Sequence, residues 1–468
     1  MSDLKKPERK LSAKNKSNVS VKSETDTSAK KESGINVQET PEERQIRREK
    51  MRQRREQRRK RRQKAIMLRI ALVFAGILFA AGVVWGISSL FKGNEKKDTK
   101  EQKEAVDHQE PIEVLESVEL DDVLHLSFNS LIGDTAAAFH QENEQRSKAI
   151  AQGHITVAEF EGILQQLYQQ GYVLVHLEDL VQVQEDASLK SKELMLPQGK
   201  KPLIISQQNV NYSLDTYGQG LPTKLIVDDS GNIVSEVIDS NKTTITGAYD
   251  VITCLNAFVQ SHPDFSHEGA KGIIGISGAD GVLGYRTDAS FATSEGNKYA
   301  SEFGVYDSAA EMEALKIVVN TLKEDGWEFA CSGYQYITYG QNPEAITQDL
   351  KLWKSNLADV FGESKIFFYP NGKDIGMGTF YSQDNESYKV LKEHGFRYFS
   401  SLDLANIASC ITEEYLRCNY INVDGYRMYQ ELYGNTERFK GILDFSTIYD
   451  ANRPSVDIEA STDEMSNA

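Results

Sequence analysis

The chain has 468 residues and a formal net charge of −16, long enough for one large domain or two to three smaller ones with tails. Its four cysteines, Cys254, Cys331, Cys410 and Cys418, form no C-x-x-C pair, which argues against a zinc ribbon; a Cys410–Cys418 bridge stands as an alternative to four buried or free thiols. Neither a P-loop nor a nucleotide-binding glycine fingerprint occurs.

Residues 1–64 read as a disordered basic tail. Positions 1–40 are rich in Ser, Lys, Asn, Glu and Thr and poor in large apolar residues, too little to support a core. From Arg44 to Lys64 the chain is dense in Arg and Lys, a run compatible with a solvated helix or a weak coiled coil. Residues 65–91 follow as an expected transmembrane helix. Positions 70–91 (IALVFAGILFAAGVVWGISSLF) carry no charge, and a helix of that length spans roughly 33 Å, enough for a bilayer core. A buried core helix and a signal peptide are the alternatives; the length of the apolar run and the long basic leader disfavour both. Basic residues beside a span stay in the cytoplasm. The block therefore predicts a single-pass protein of the cell membrane, with its N-terminus cytoplasmic and its C-terminal domain extracellular. Placed there, the basic block attracts lipid, and no nucleic acid is expected as a partner. Residues 92–111 read as a flexible linker.

Residues 112–454 form the expected folded domain, and 455–468 a disordered C-terminal tail. The sequence Thr156-Val-Ala-Glu159 reads as a capping box, and Phe160, Ile163, Leu164 and Leu167 recur on one helical face. Gly171 then suits a left-handed helix stop, with a strand after it from Tyr172. The design recurs from Ser308-Ala-Ala-Glu311 through Gly326 to a strand at Trp327, and again from Tyr388 through Gly395 to Phe399. Further apolar runs stand at 123–128, 203–205, 272–276 and 366–369. Helix, glycine and strand in repetition predict a parallel α/β architecture. Residues 224–237 read as an inserted β-hairpin turning at Ser230-Gly231.

The run 202–212 (PLIISQQNVNY) gives the first place to look for chemistry. A short buried strand ends in Gln207, Gln208 and Asn209, and in parallel α/β folds ligands sit beyond the carboxyl ends of strands. Amides donate and accept hydrogen bonds there but exchange no protons near neutral pH.

The ordered segments VLHLSFNSLI, EFEGILQQLYQQGYVLVHLEDL, KKPLIIS, GWEFACSGYQY, FFYPNG, LKEHGFRYF and NVDGYRMYQ together resemble the polysaccharide deacetylase family, carbohydrate esterases with a NodB-homology domain. The resemblance implies a distorted (β/α) barrel over roughly 123–454. In that family a divalent metal, usually zinc, and a carboxylate base remove acetyl groups from N-acetylated sugars of chitin-like or peptidoglycan polymers. The positions matching the family's Asp-Asp pair are Gln208 and Asn209. Those matching its His-x-x-x-His ligands are Ser332 and Tyr336, and Asn129 stands where a first-motif histidine is common. Gln208 cannot act as a base, and Asn209, Ser332 and Tyr336 make a poor zinc set. A degenerate member without metal or other cofactor is therefore expected, one that binds cell-wall glycan or an extracytoplasmic protein.

The alternative is an active metal-dependent deacetylase with relocated ligands, and zinc or another divalent cation as cofactor. Asp280 and Asp374 are the carboxylates to watch for it; the His262–His267 spacing makes a poor metal site. A third reading is an assembly protein using the basic tail inside and the acidic domain outside. Tyr334, Pro370, Asn371, Arg427 and Tyr429 are candidate groove residues, with ordinary packing for the tyrosines and a surface ion pair for Arg427 as the alternative.

Overall fold

The computed structural model describes residues 115–454 apart from 141, 341, 377–379, 404–408 and 435. The expected disordered tails, coiled coil, transmembrane helix and the whole of the linker lie outside the described residues. Among the described residues no helix is long and apolar enough to cross a membrane.

Short apolar runs become the staves of one curled sheet. These are β1 (Leu124–Phe128), β2 (Lys201–Gln207), β3 (Ile273–Ile276), β4 (Glu328–Cys331), β5 (Ile366–Phe368) and β6 (Tyr398–Ser400). All pair in parallel in the spatial order β6-β5-β4-β3-β2-β1. One extended run then joins the ends. Its first part, β7 (Leu416–Arg417), pairs in parallel with β6, and its second, β8 (Ile421–Val423), with β1. Between them the Cys418 and Tyr420 N–H groups donate to Phe399 O and Ser401 O, both at 3.0 Å. The parallel α/β architecture expected from the helix–glycine–strand repetition is thus observed, its sheet curled in the way the family resemblance implies, with Tyr172–Leu174 as an extra strand against the start of β2.

Two cores follow from the alternation of side chains along each strand. Ile204, Ile273, Ala330, Ile366, Phe368, Tyr398 and Leu416 fill the barrel interior. Their neighbours on the opposite face, among them Leu126, Ile205, Ile274 and Phe367, pack against the helices. Those helices are α1 (Glu144–Gly153), α2 (Val157–Gln169), α3 (Val251–Ser261), α4 (Ser308–Glu324), α5 (Pro343–Phe361), α6 (Glu386–Glu393) and α7 (Gly425–Tyr433). The stripe on α2 is fully buried, worth about 1.5–3 kcal/mol for each large aliphatic or aromatic side chain.

The capping box of α2 is present as read. Glu159 N–H donates to Thr156 Oγ1 at 3.1 Å, and Thr156 N–H to Glu159 Oε2 at 2.7 Å. The box read at Ser308 is not. The α4 N-cap is Asp307, which accepts from Ala310 N–H at 3.1 Å. Ser308 Oγ donates instead to Asp288 O, and Glu311 accepts from Lys224 Nζ and Arg286 N–H. A carboxylate with a cation in reach is worth more there than the reciprocal bond of the box.

The hairpin is present over Pro222–Val227 and Ile233–Ile238, and a third strand, Thr244–Gly247, extends it. Gly231 takes φ +85° at its turn, where Asp228 accepts from the N–H groups of Ser230 and Asn232, both at 2.8 Å. All four cysteines are free thiols, so Cys410 and Cys418 do not bridge. His262 is a packing residue, its ring stacked on Phe258 at 4.3 Å.

Candidate functional site

At the carboxyl end of β2 the chain leaves the sheet through Gln207, Gln208 and Asn209 and opens a cavity of about 300 Å³. Gln208, Asn209 and Tyr336 line it together, facing Asn129 and Ser130 beyond β1, His154 after α1, and Leu221 and Pro222 at the start of the insertion. Three of the four positions matched to the family's base and metal ligands therefore share one wall. The fourth, Ser332, is wholly buried below. A Cβ added at Gly275 would lie 3.2 Å from Ser332 Oγ and 3.3 Å from Asn209 N, so any larger residue there would push these chain segments apart by a few tenths of an ångström.

The backbone here is held in unusual conformations. Asn209, Tyr212, Tyr336 and Asn371 take φ of +44°, +47°, +54° and +55°, in the left-handed region that bulky side chains rarely enter. Such strain persists only where surrounding contacts impose it, and it gathers at functional sites. Two buried groups hold the loop after β2, which carries Asn209 and Tyr212. Arg286 donates to Asn211 O at 3.1 Å and to Tyr212 O, holding the loop after β2 from behind. Asp250, at 0% exposure, accepts from Leu131 N–H at 2.9 Å, Gln207 Nε2 at 2.7 Å and the Tyr212 hydroxyl. Burial pushes the Asp250 carboxyl above the usual carboxylate range, and the Tyr212 and Gln207 hydrogen bonds pull the other way. Burial, with Asp250 beside it, raises the Tyr212 hydroxyl well above its ordinary value.

The polar atoms of the wall divide into spent and unspent. Asn129 Nδ2 donates to Gly153 O at 2.8 Å. Asn209 Oδ1 accepts from Ser277 Oγ at 2.5 Å. Gln208 is 8% exposed, and neither its Nε2 nor its Oε1 has a partner; the same holds for Ser332 Oγ. His154 Nδ1 lies 2.6 Å from Ser130 O. A carbonyl only accepts, so Nδ1 carries the hydrogen and Nε2 of the neutral ring is an acceptor. Burial lowers the His154 pKa, opposed by the Ser130 carbonyl and Asp424 and assisted by Arg453 and Arg146.

The candidate groove residues fall elsewhere. Tyr334 is 3% exposed and donates to Asp288, so it packs rather than lines the cavity. Pro370 is buried; Asn371 is exposed, its Nδ2 donating to Thr338 Oγ1 at 3.1 Å. The Asn371 backbone meets the Tyr336 hydroxyl, whose pKa burial raises. Arg427 pairs with Asp424, the α7 N-cap, and Tyr429 packs on Tyr433 with ring centroids 4.8 Å apart. Asp280 does not line the cavity, and Asp374 is paired with Arg417 at 3.5 Å. His154, Tyr212 and Asp250 were not singled out by the sequence; the only signal for Asp250 is its N-cap position before α3, and for His154 there is none. A larger concavity of about 750 Å³ lies at the amino end of β1, around Asp121, Leu124 and Arg438. Its lining also reaches Asp403, past the carboxyl end of β6.

Zinc takes three or four imidazole, thiolate or carboxylate donors. This cavity supplies one imidazole among amides and hydroxyls. Among the described residues no group of three or more His, Cys, Asp or Glu is placed to hold a metal ion. The residues present do not fit a divalent metal.

Fold and site together define an α/β-barrel protein with a polar cavity at the carboxyl ends of its strands. No family model and no curated protein matches the chain, but several solved structures do. It is similar to a Streptococcus pyogenes deacetylase, PplD, in complex with acetate, at 12% identity and TM-score 0.34 over 67% of this chain and 94% of that one. It is similar to a polysaccharide deacetylase from Bacillus cereus, at 11% and 0.34 over 66% of each chain. It is similar too to a de-N-acetylase from Aggregatibacter actinomycetemcomitans, at 12% and 0.37 over 69% of this chain and 99% of that one. At such identity and overlap, what this chain does is read from its own residues.

Proposed function

We propose that this is a polysaccharide-deacetylase-like protein that binds glycan in the β2-end cavity without hydrolysing it. The observation that carries the reading is the occupancy of the site address: Gln208 and Asn209 stand where a carboxylate pair would serve as base and ligand, beside Tyr336 and above Ser332. Amide hydrolysis needs a polarised carbonyl, an acidified water and a group to take its proton; amides and hydroxyls can donate to a carbonyl but neither acidify a water nor take its proton near neutral pH, and the one imidazole, His154, stands without a set of metal ligands around it. What they do supply is hydrogen bonding to a polar, uncharged ligand. The apolar, uncharged run 70–91 behind the basic block Arg44–Lys64 supports a membrane anchor with the barrel outside, where cell-wall glycan is the polymer within reach. The test pairs metal analysis with an acetate-release assay on the purified full chain. The expected result is substoichiometric zinc and no acetate from N-acetylated oligosaccharide; chelator-sensitive acetate release overturns the reading.

A further inference from the structure

Two polar side chains beside the cavity are sealed away from it, Gln208 by the turn of its amide and Ser332 by lying below. We propose that the Gln208 side chain is a gate: it turns from the enclosed position it holds in this structure out into the cavity, and so opens a deeper pocket that ends on the Ser332 hydroxyl. This goes beyond the glycan-binding reading above and stands whether or not glycan binds there.

The enclosed position is a poor one for an amide. Gln208 borders the cavity, yet its Nε2 and Oε1 are both closed off from solvent and neither has a hydrogen-bond partner. An amide held in that state forfeits the bonds it makes in water, and a buried group left so calls for a cause. Ser332 Oγ is in the same condition, in a residue with 0% exposure. The two residues adjoin across Gly275: a Cβ there would lie 3.2 Å from Ser332 Oγ and 3.3 Å from the nitrogen of the Gln208–Asn209 peptide. Even so, their side chains make no hydrogen bond to one another.

The backbone is pinned, which leaves the side chain as the moving part. Gln208 N–H donates to Phe128 O and Val210 N–H to Gly275 O, both at 2.9 Å. Arg286 holds the carbonyls of Asn211 and Tyr212, and Asp250 holds the Gln207 amide and the Tyr212 hydroxyl. Swinging the loop as a body would also bring Val210, at 0% exposure, to water. Rotation about the side-chain bonds of Gln208 breaks none of these contacts. The cavity of about 300 Å³ has room for the carboxamide, and there water meets both of its polar atoms. Turning out thus exchanges two unmet groups for two solvated ones and uncovers Ser332 Oγ, which gains a partner in its turn. The described residues that line the cavity include no Asp, Glu, Lys or Arg, so the deeper pocket suits a hydroxyl-sized neutral group rather than an ion.

The test reads the floor of the pocket with a thiol. In the full chain, in detergent micelles, Ser332→Cys sets a second thiol beside Cys331, whose own side chain points to the opposite face of β4 and packs among the helices. Labelling of both by N-ethylmaleimide is followed by tandem mass spectrometry, each rate divided by that of the same thiol in the urea-unfolded chain. Under native conditions the new thiol is expected to react at least about tenfold faster than Cys331, and adding Gln208→Leu, which removes the unmet amide, to slow it about tenfold. Should Ser332→Cys lose its native circular dichroism, urea melts of Gln208→Leu in the otherwise unmodified chain serve instead; the midpoint is expected to rise, because an apolar side chain of similar size fits the enclosed position without an unmet group. A new thiol no faster than Cys331 overturns the gate. So does a labelling rate that Gln208→Leu leaves unchanged, or a midpoint that it fails to raise, since either result means that the Gln208 amide is satisfied where it stands, as by an enclosed water. Each of these outcomes leaves the glycan-binding reading to its own metal and acetate measurements.

Discussion

His125 is 2% exposed inside the barrel, with Nε2 at 2.9 Å from Ser206 Oγ and Nδ1 at 3.3 Å from Cys418 O. Burial lowers its pKa to about 4, so the native ring is neutral while the unfolded ring takes a proton near pH 6.5. Stability from this residue is complete above pH 6.5 and falls with acidification as the unfolded state alone gains the proton, levelling off near pH 4. The lowered His154 acts in the same direction. The loss attributable to His125 comes to about 3 kcal/mol. Urea melts at pH 7 and pH 4.5 should separate accordingly, and His125→Gln should flatten the dependence; equal slopes in the two proteins would remove His125 as the cause. At this scale the sequence was legible where residue type departs from a pattern. Gln208, Asn209 and Tyr336 stood out as amides and a phenol at a site address, and they share a wall. His154 gave no signal because its position depends on where α1 ends against the β1 loop, a tertiary fact without a local spacing.

Elements were legible wherever a local device fixed them. The Thr156 box, the stop at Gly171 with φ +83° and the stop at Gly326 with φ +95° follow from backbone chemistry that any neighbourhood respects. Ser308 failed because Glu311 found Lys224 and Arg286 across the molecule, which no local rule contains. The same kind of long-range claim falls on Glu159. Besides capping α2, it accepts from Arg453 Nε at 2.7 Å, and Arg453 also donates to Ala151 O and to His154 O. Both side chains of the pair are essentially inaccessible. One ion pair thus joins the C-terminal end of the domain to α1 and α2, next to the cavity. Removing one member leaves a buried charge and several carbonyls unmatched. Arg453→Met should therefore cost about 3–5 kcal/mol in denaturant unfolding, and the double substitution with Glu159→Gln should recover part of it. A single-mutant loss under about 1 kcal/mol would mean the pair is effectively solvated. Gly425 belongs to the same junction. A Cβ there would come 1.9 Å from Ala151 O and 2.5 Å from Arg453 Nη1, so Gly425→Ala should lower stability by about 1–3 kcal/mol in the same melts.

For the whole molecule, the barrel and the site answer to different constraints. The barrel requires only apolar alternation on its strands, a glycine where Ser332, Phe368 and Asn209 crowd Gly275, and the closing run from Leu416 to Val423. All of these survive with amides at the end of β2, so the fold does not depend on a carboxylate pair there. Hydrolysis, by contrast, needs several groups at once. A base without a polarising metal, or a metal ligand without its partners, contributes little, because residues that act as a unit are strongly non-additive. Gln208→Asp together with Asn209→Asp is therefore the decisive engineering test. It places a carboxylate pair at the end of β2, where Asn209 already meets Ser277 Oγ, but leaves Ser332 and Tyr336 at the positions where the proposed reading would need imidazole donors. The double variant should release no more acetate from N-acetylated oligosaccharide than the unmodified chain, with or without added zinc, in an enzyme-coupled acetate assay. Acetate release that appears with zinc and disappears with chelator would show that ligands elsewhere in the cavity, with His154 the first to examine, complete a metal site that the geometry here does not provide.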